Sequence, residues 1–226
     1  MDVDLIALIN QIPATTFIDY LGVVMGVLAG ALFAIERKLD VVGVVSLGII
    51  TGFGGGIIRD LLLQDQGIFF MEHPIVILAS IFICIAMSTA RRRLVNFYSR
   101  LFYIDAFTMA WYALAGASKS WFAGTGPVIC VILGSITAVG GSALRDICVG
   151  EVPRVFQPGK FYAVSSFIGA AFYAGLLVLK VSHDVASVLC VAVGFGLTIL
   201  SKRFNWHTRG GTLSGRGAKS DVEENG

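Results

Sequence analysis

The stretch Gly54-Gly55-Gly56-Ile57-Ile58-Arg59-Asp60 decides how this chain is read. It lies within an apolar run over residues 41–63, so three glycines, a cation and an anion fall where a helix of membrane length is expected. Glycine lowers the cost of leaving helical dihedrals. A charge near mid-membrane is costly unless it meets a partner or water. The stretch therefore predicts a membrane helix broken at residues 54–56, not a phosphate loop. The same signature returns as Gly140-Gly141-Ser142-Ala143-Leu144-Arg145-Asp146.

These two copies belong to a longer repeat. A displacement of 86 positions places Asp19 on Asp105, Leu28-Ala29-Gly30-Ala31 on Leu114-Ala115-Gly116-Ala117, Thr51 on Thr137, and Arg59-Asp60 on Arg145-Asp146. Residues 17–60 match their counterparts at 16 positions without a gap. Apolar segments match by chance, but chance does not place Gly-Gly and Arg-Asp at one offset.

Composition sets the solvent. The 226 residues are 56% hydrophobic and 14% charged, with mean hydropathy +0.80. Soluble domains carry about 25% charged residues, so this is an integral membrane protein. A net charge of +2, with no basic patch interleaved with aromatics, gives no reason to expect a nucleic-acid partner. Membrane lipid is the expected surrounding. Cys84, Cys130, Cys148 and Cys190 sit in or beside apolar runs without metal-ligand spacing, and are read as buried small hydrophobes. Asp2 and Asp4 stand where a signal peptide would carry positive charge.

Seven stretches approach the roughly 20 apolar residues of a membrane helix: residues 16–35, 41–64, 74–91, 101–119, 127–149, 160–180 and 184–202. Pro74, Pro127 and Pro158 mark helix starts. Alternate loops collect Arg37, Lys38, Arg91, Arg92, Arg93, Arg100, Arg154, Lys160, Lys202, Arg203 and Arg209, whereas the others hold only Lys119 and Lys180. The excess of positive charge on the cytoplasmic side predicts the N-terminus outside and the C-terminus inside. Because each repeat unit has three helices, the second copy enters from the opposite side. The expectation is an all-α membrane protein of seven transmembrane helices: a 3+3 inverted repeat plus a seventh helix, with the second and fifth helices broken at glycines. Residues 1–14 read as a short interfacial segment, 15–92 and 101–180 as the two repeats, 183–203 as the seventh helix, and 204–226 as a disordered cytoplasmic tail.

Inverted repeats with discontinuous helices place a transport site near the midplane, where the broken helices meet. The helix directions put Arg59 in the outer half and Arg145 in the inner half. They also predict the pairs Arg59 with Asp19 and Arg145 with Asp105. Asp60 and Asp146, adjacent to their arginines, are expected to point elsewhere, toward another helix end or a pore. Thr51 and Thr137 lie one turn before each glycine segment, and Ser135 and Ser142 join them as pore candidates. A threonine hydroxyl also bonds its own helix readily. No metal-ligand set and no nucleophile with a base stands out, so no cofactor and no enzymatic activity are expected.

At Gly54-Gly55-Gly56-x-x-Arg59-Asp60 and Gly140-Gly141-Ser142-x-x-Arg145-Asp146 the chain resembles prokaryotic members of the trimeric intracellular cation (TRIC) channel family. Many bacterial relatives carry the label of a glycine transporter domain. The resemblance spans residues 15–202. It implies a homotrimer in a prokaryotic plasma (inner) membrane, each protomer with its own hourglass-shaped pore permeable to K+, with Na+ a further permeant ion. It implies hinges at Gly54, Gly55, Gly56, Gly140, Gly141 and Ser142, with Arg59 and Arg145 as nearby charges. The alternative is a secondary transporter of a small zwitterion such as glycine.

Overall fold

A computed structural model describes residues 14–64, 67–94, 101–157, 162–204 and 206. The interfacial segment and the polar tail expected at the two ends, together with Pro158, fall almost wholly outside them. The described residues form helices α1 (Ala14–Glu36), α2 (Val41–Leu63), α3 (Pro74–Thr89), α4 (Leu101–Phe122), α5 (Pro127–Cys148), α6 (Tyr162–Val178) and α7 (His183–Arg203). Two single-turn helices, Phe69–Glu72 and Arg91–Leu94, lie between them. Four helices (α1, α2, α5 and α7) are long and apolar enough to cross a membrane, and α3 and α6 are shorter apolar helices.

Local chemistry explains the starts and stops. Pro74 and Pro127 open α3 and α5 as first-turn residues, where the missing N–H removes no helical bond. Asp40 caps α2 by accepting the Gly43 N–H at 2.8 Å. Gln64 closes α2 in the left-handed region, φ 52°.

Helices α1, α2 and α3 pack together, as do α4, α5 and α6, while α7 lies against α4 and α6. The two groups meet where α2 crosses α5 and α1 runs beside α4. Helix α4 is central, with 15 of its 22 residues buried. That burial encloses Asp105 and leaves Lys119 half-buried at the helix end. Of the cysteines, Cys84, Cys130 and Cys190 are buried as expected, but Cys148 at the end of α5 is exposed: it sits where the chain leaves the bundle.

The expected breaks in α2 and α5 are corrected. The helical pattern runs uninterrupted through residues 54–56 and 140–142. The positive-φ glycines among the described residues, Gly67, Gly124, Gly126 and Gly150, all lie outside α2 and α5. The packing supplies the reason. A Cβ added at Gly55 would strike the Thr137 carbonyl, and one at Gly141 would strike that of Thr51. A Cβ on Gly54 would sit 3.4 Å from the Gly141 Cα, and one on Gly140 3.3 Å from the Gly55 Cα. These glycines let two continuous helices cross at backbone contact, as small residues do between membrane helices.

Candidate functional site

Above and below that crossing lies a buried ionic cluster. In the first, Arg59 near the end of α2 is 1% exposed. Its guanidinium grips Asp19 of α1 with both terminal nitrogens, at 2.6 and 2.9 Å, and donates from Nε to Asp60 Oδ1 at 2.8 Å. Lys119, in the last turn of α4, reaches Asp60 at 2.9 Å and Asp19 at 3.8 Å. The second oxygen of Asp60 accepts the Phe69 N–H at 2.9 Å. Two cations face two anions. This two-pronged geometry is what makes a buried arginine tolerable, since a guanidinium matches a carboxylate edge to edge.

In the second cluster Arg145, also 1% exposed, donates to Asp105 of α4 at 3.2 Å and to Asp146 at 3.1 Å. Arg154, in the loop after α5, lies 3.6 Å from Asp105, and its N–H donates to Asp146 at 3.0 Å. Phe33 of α1, fully buried, carries guanidinium groups over its ring: Arg37 at 3.9 Å, Arg145 at 4.0 Å and Arg154 at 5.1 Å. Arg37 in turn pairs with Glu151 at 2.7 Å. The ring's negative face thus takes up part of the local positive charge.

The structure brings Arg59 to Asp19 and Arg145 to Asp105, the pairings that helix direction predicts. It bears out the expected helix-end contact for Asp60, whose second oxygen accepts the N–H of Phe69 at the start of the single-turn helix Phe69–Glu72, and it corrects the expectation that Asp60 and Asp146 point away from their arginines. Both turn back onto the arginine beside them, because an arginine side chain is long enough to curl along its own helix. Lys119, read from the sequence as a loop cation, belongs to α4 and completes the first cluster. Phe33 and Lys119 occupy equivalent places 86 residues apart, yet one is an aromatic under the second cluster and the other a cation within the first. Nothing in the spacing signals that exchange.

The four pore-candidate hydroxyls each bond within their own helix. Thr51 donates to the Leu47 carbonyl and Thr137 to that of Leu133, both at 2.6 Å, Ser135 to Val131 at 2.7 Å and Ser142 to Val139 at 3.0 Å. Two other buried hydroxyls among the described residues, Thr108 and Ser165, have no hydrogen-bond partner. Thr108 shares a stripe of α4 with Asp105, Tyr112 and Lys119, at helical spacing. The described residues contain no group of His, Cys, Asp or Glu arranged to hold a metal ion. The cavity at the first cluster has about 20 Å³ and that at the second about 10 Å³, room for about one water each.

Comparison with known proteins fits this geometry. A family model described as Glycine transporter matches the chain twice, over residues 16–92 and 102–177. The inner membrane protein YadS of Escherichia coli strain K12 is 29% identical over 197 residues, covering 85% of this chain and 93% of that protein. The membrane protein YvgT of Bacillus subtilis strain 168 is 31% identical over 201 residues, covering 85% and 94%. Among solved structures, the TRIC trimeric intracellular cation channel orthologue from Rhodobacter sphaeroides aligns with TM-score 0.78 and 30% identity, covering 84% of this chain and 97% of that one. A second TRIC cation channel structure aligns at 0.76 with 31% identity, covering 86% and 95%. The chain belongs to the prokaryotic TRIC family, and to the family whose model is described as Glycine transporter.

Proposed function

We propose that this protein is a channel for monovalent cations, K+ above all, and not an enzyme. One path runs through each protomer of a homotrimer, beside the crossing of α2 and α5 and along the buried polar stripe of α4. The observation that carries the reading is the pair of charge-balanced clusters on either side of the glycine crossing. They hold Arg59 and Arg145 as neutralised ends of a path, so the arginines do not repel a cation as bare charges would. Thr108, unpartnered on the same stripe, is a polar group that a passing water or ion would satisfy. The solved relatives are cation channels by name, which supports the same reading.

The helices form two units of three in inverted orientation, and α7 returns the C-terminus to the cytoplasm. Support comes from the two family-model matches, which begin at residues 16 and 102, the offset that superposes the Arg-Asp motifs. Cytoplasmic loop charge supports the N-terminus outside. Gly54, Gly55, Gly56, Gly140 and Gly141, with Ser142, act as hinges that let α2 and α5 bend when the path opens. Asp60 and Asp146 hold the arginines in place on either side.

The test is K+ flux from liposomes containing the purified protein, with glycine uptake measured in parallel because of the family model's description. Potential-driven, non-saturating K+ flux is expected. Saturable glycine uptake without current would overturn the channel reading in favour of a carrier.

A further inference from the structure

The two halves of the repeat are equivalent in their arginines and aspartates but not between them. At the displacement of 86, Gly26 of α1 falls on Tyr112 of α4. One copy has no side chain where the other has a large ring. Tyr112 is 5% exposed and donates its hydroxyl to the Gly52 carbonyl of α2. A Cβ at Gly56 would meet nothing nearer than Arg59 Nη2 at 3.9 Å, so a small side chain at residue 56 leaves that bond in place. The ring has its own slot on α1. A Cβ at Gly22 would approach Tyr112 to 3.1 Å, and one at Gly26 would collide with the hydroxyl. Tyr112 lines the cavity of about 20 Å³ together with Asp19, Gly52, Gly56, Arg59 and Asp60, and that volume admits about one water.

We propose that Tyr112 is the seal of the half of the path that holds Arg59: its ring fills the space between the first cluster and the glycine crossing, and its bond to Gly52 latches it there. Opening requires the ring to leave the slot formed by Gly22 and Gly26. The other half, with glycine at the equivalent position, has no such plug. The bond from Tyr112 of α4 to Gly52 of α2 therefore holds one side of the path closed. This rests on the channel reading above, and the experiment separates the two.

Two readouts are taken from reconstituted full-length protein: K+ flux, and the labelling rate of Gly56→Cys, in a Cys148→Ser background, by a water-soluble cationic thiol reagent. Tyr112→Ala is expected to raise flux and to accelerate labelling at residue 56. Tyr112→Phe keeps the ring and removes the latch, so the open-to-closed ratio rises about fivefold, the worth of one neutral hydrogen bond. If the parent conducts and Tyr112→Ala changes neither flux nor labelling, the seal is overturned and the channel stands. If neither protein conducts but Tyr112→Ala labels faster, the seal stands and the channel reading falls. Should Tyr112→Ala fail to fold, Tyr112→Phe decides: unchanged flux and unchanged labelling overturn the proposal.

Discussion

Replacing Gly55 or Gly56 with alanine adds the same methyl group one residue apart, yet the structure predicts opposite results. In a helix interior alanine is favoured over glycine by about 1 kcal/mol. At Gly56 that gain stands nearly alone, since the new Cβ has open space up to 3.9 Å. At Gly55 the Cβ is driven onto the Thr137 carbonyl, with the Gly141 nitrogen a further 3.4 Å contact. Those are backbone atoms and cannot rotate aside, so α2 and α5 must separate. Overpacking of this kind costs about 1–3 kcal/mol or more. The two variants should therefore differ by about 2–4 kcal/mol, Gly56→Ala melting above the parent and Gly55→Ala below it. At about 2–4 °C per kcal/mol for a chain of this size, the melting points should lie about 5–15 °C apart. Thermal unfolding in detergent, followed by Trp111 and Trp121 fluorescence, measures it. The second repeat agrees in advance: the counterpart of Gly56 is Ser142, which already carries a side chain, bonded to the Val139 carbonyl. Equal losses from both substitutions would refute the reasoning, for they would mean that residues 54–56 are needed for backbone conformation and not for contact. Flux on the same samples adds the hinge test, in which Gly56→Ala gains stability and loses K+ flux.

The clusters should respond unequally. Asp19→Asn removes a two-pronged partner at 2.6 and 2.9 Å and should cost about 3–5 kcal/mol. Asp105→Asn removes a single 3.2 Å bond and should cost about 1.5–3 kcal/mol; detergent unfolding that ranks Asp105→Asn as the costlier would contradict this geometry. Lys119→Met leaves the first cluster one negative charge in excess, so K+ flux should rise at low ionic strength and the gain should shrink in high salt. Thr51→Val and Thr137→Val should leave flux within about twofold, because each hydroxyl is satisfied by its own helix; a large loss in either would return them to the pore.

Hydropathy and symmetry determined a great deal by themselves. The apolar runs place the helix ends within a few residues of Ala14–Glu36, Val41–Leu63 and Pro127–Cys148, because membrane length and first-turn prolines are local signals. The repeat, with the direction of each helix, was enough to bring Asp19 to Arg59 and Asp105 to Arg145, since matched depth on neighbouring antiparallel helices leaves a buried cation few other partners. What only the tertiary structure decided depends on how helices rotate and how long side chains curl. That is why Asp60 and Asp146 turn back to their own arginines, why Lys119 joins a cluster instead of a loop, and why Phe33 lies beneath arginine side chains. It is also why the glycine motif that announces a break instead marks a crossing. Three consecutive glycines read alike in the sequence, but at 3.6 residues per turn they point about 100° apart, and of Gly55 and Gly56 only Gly55 faces the backbone of α5.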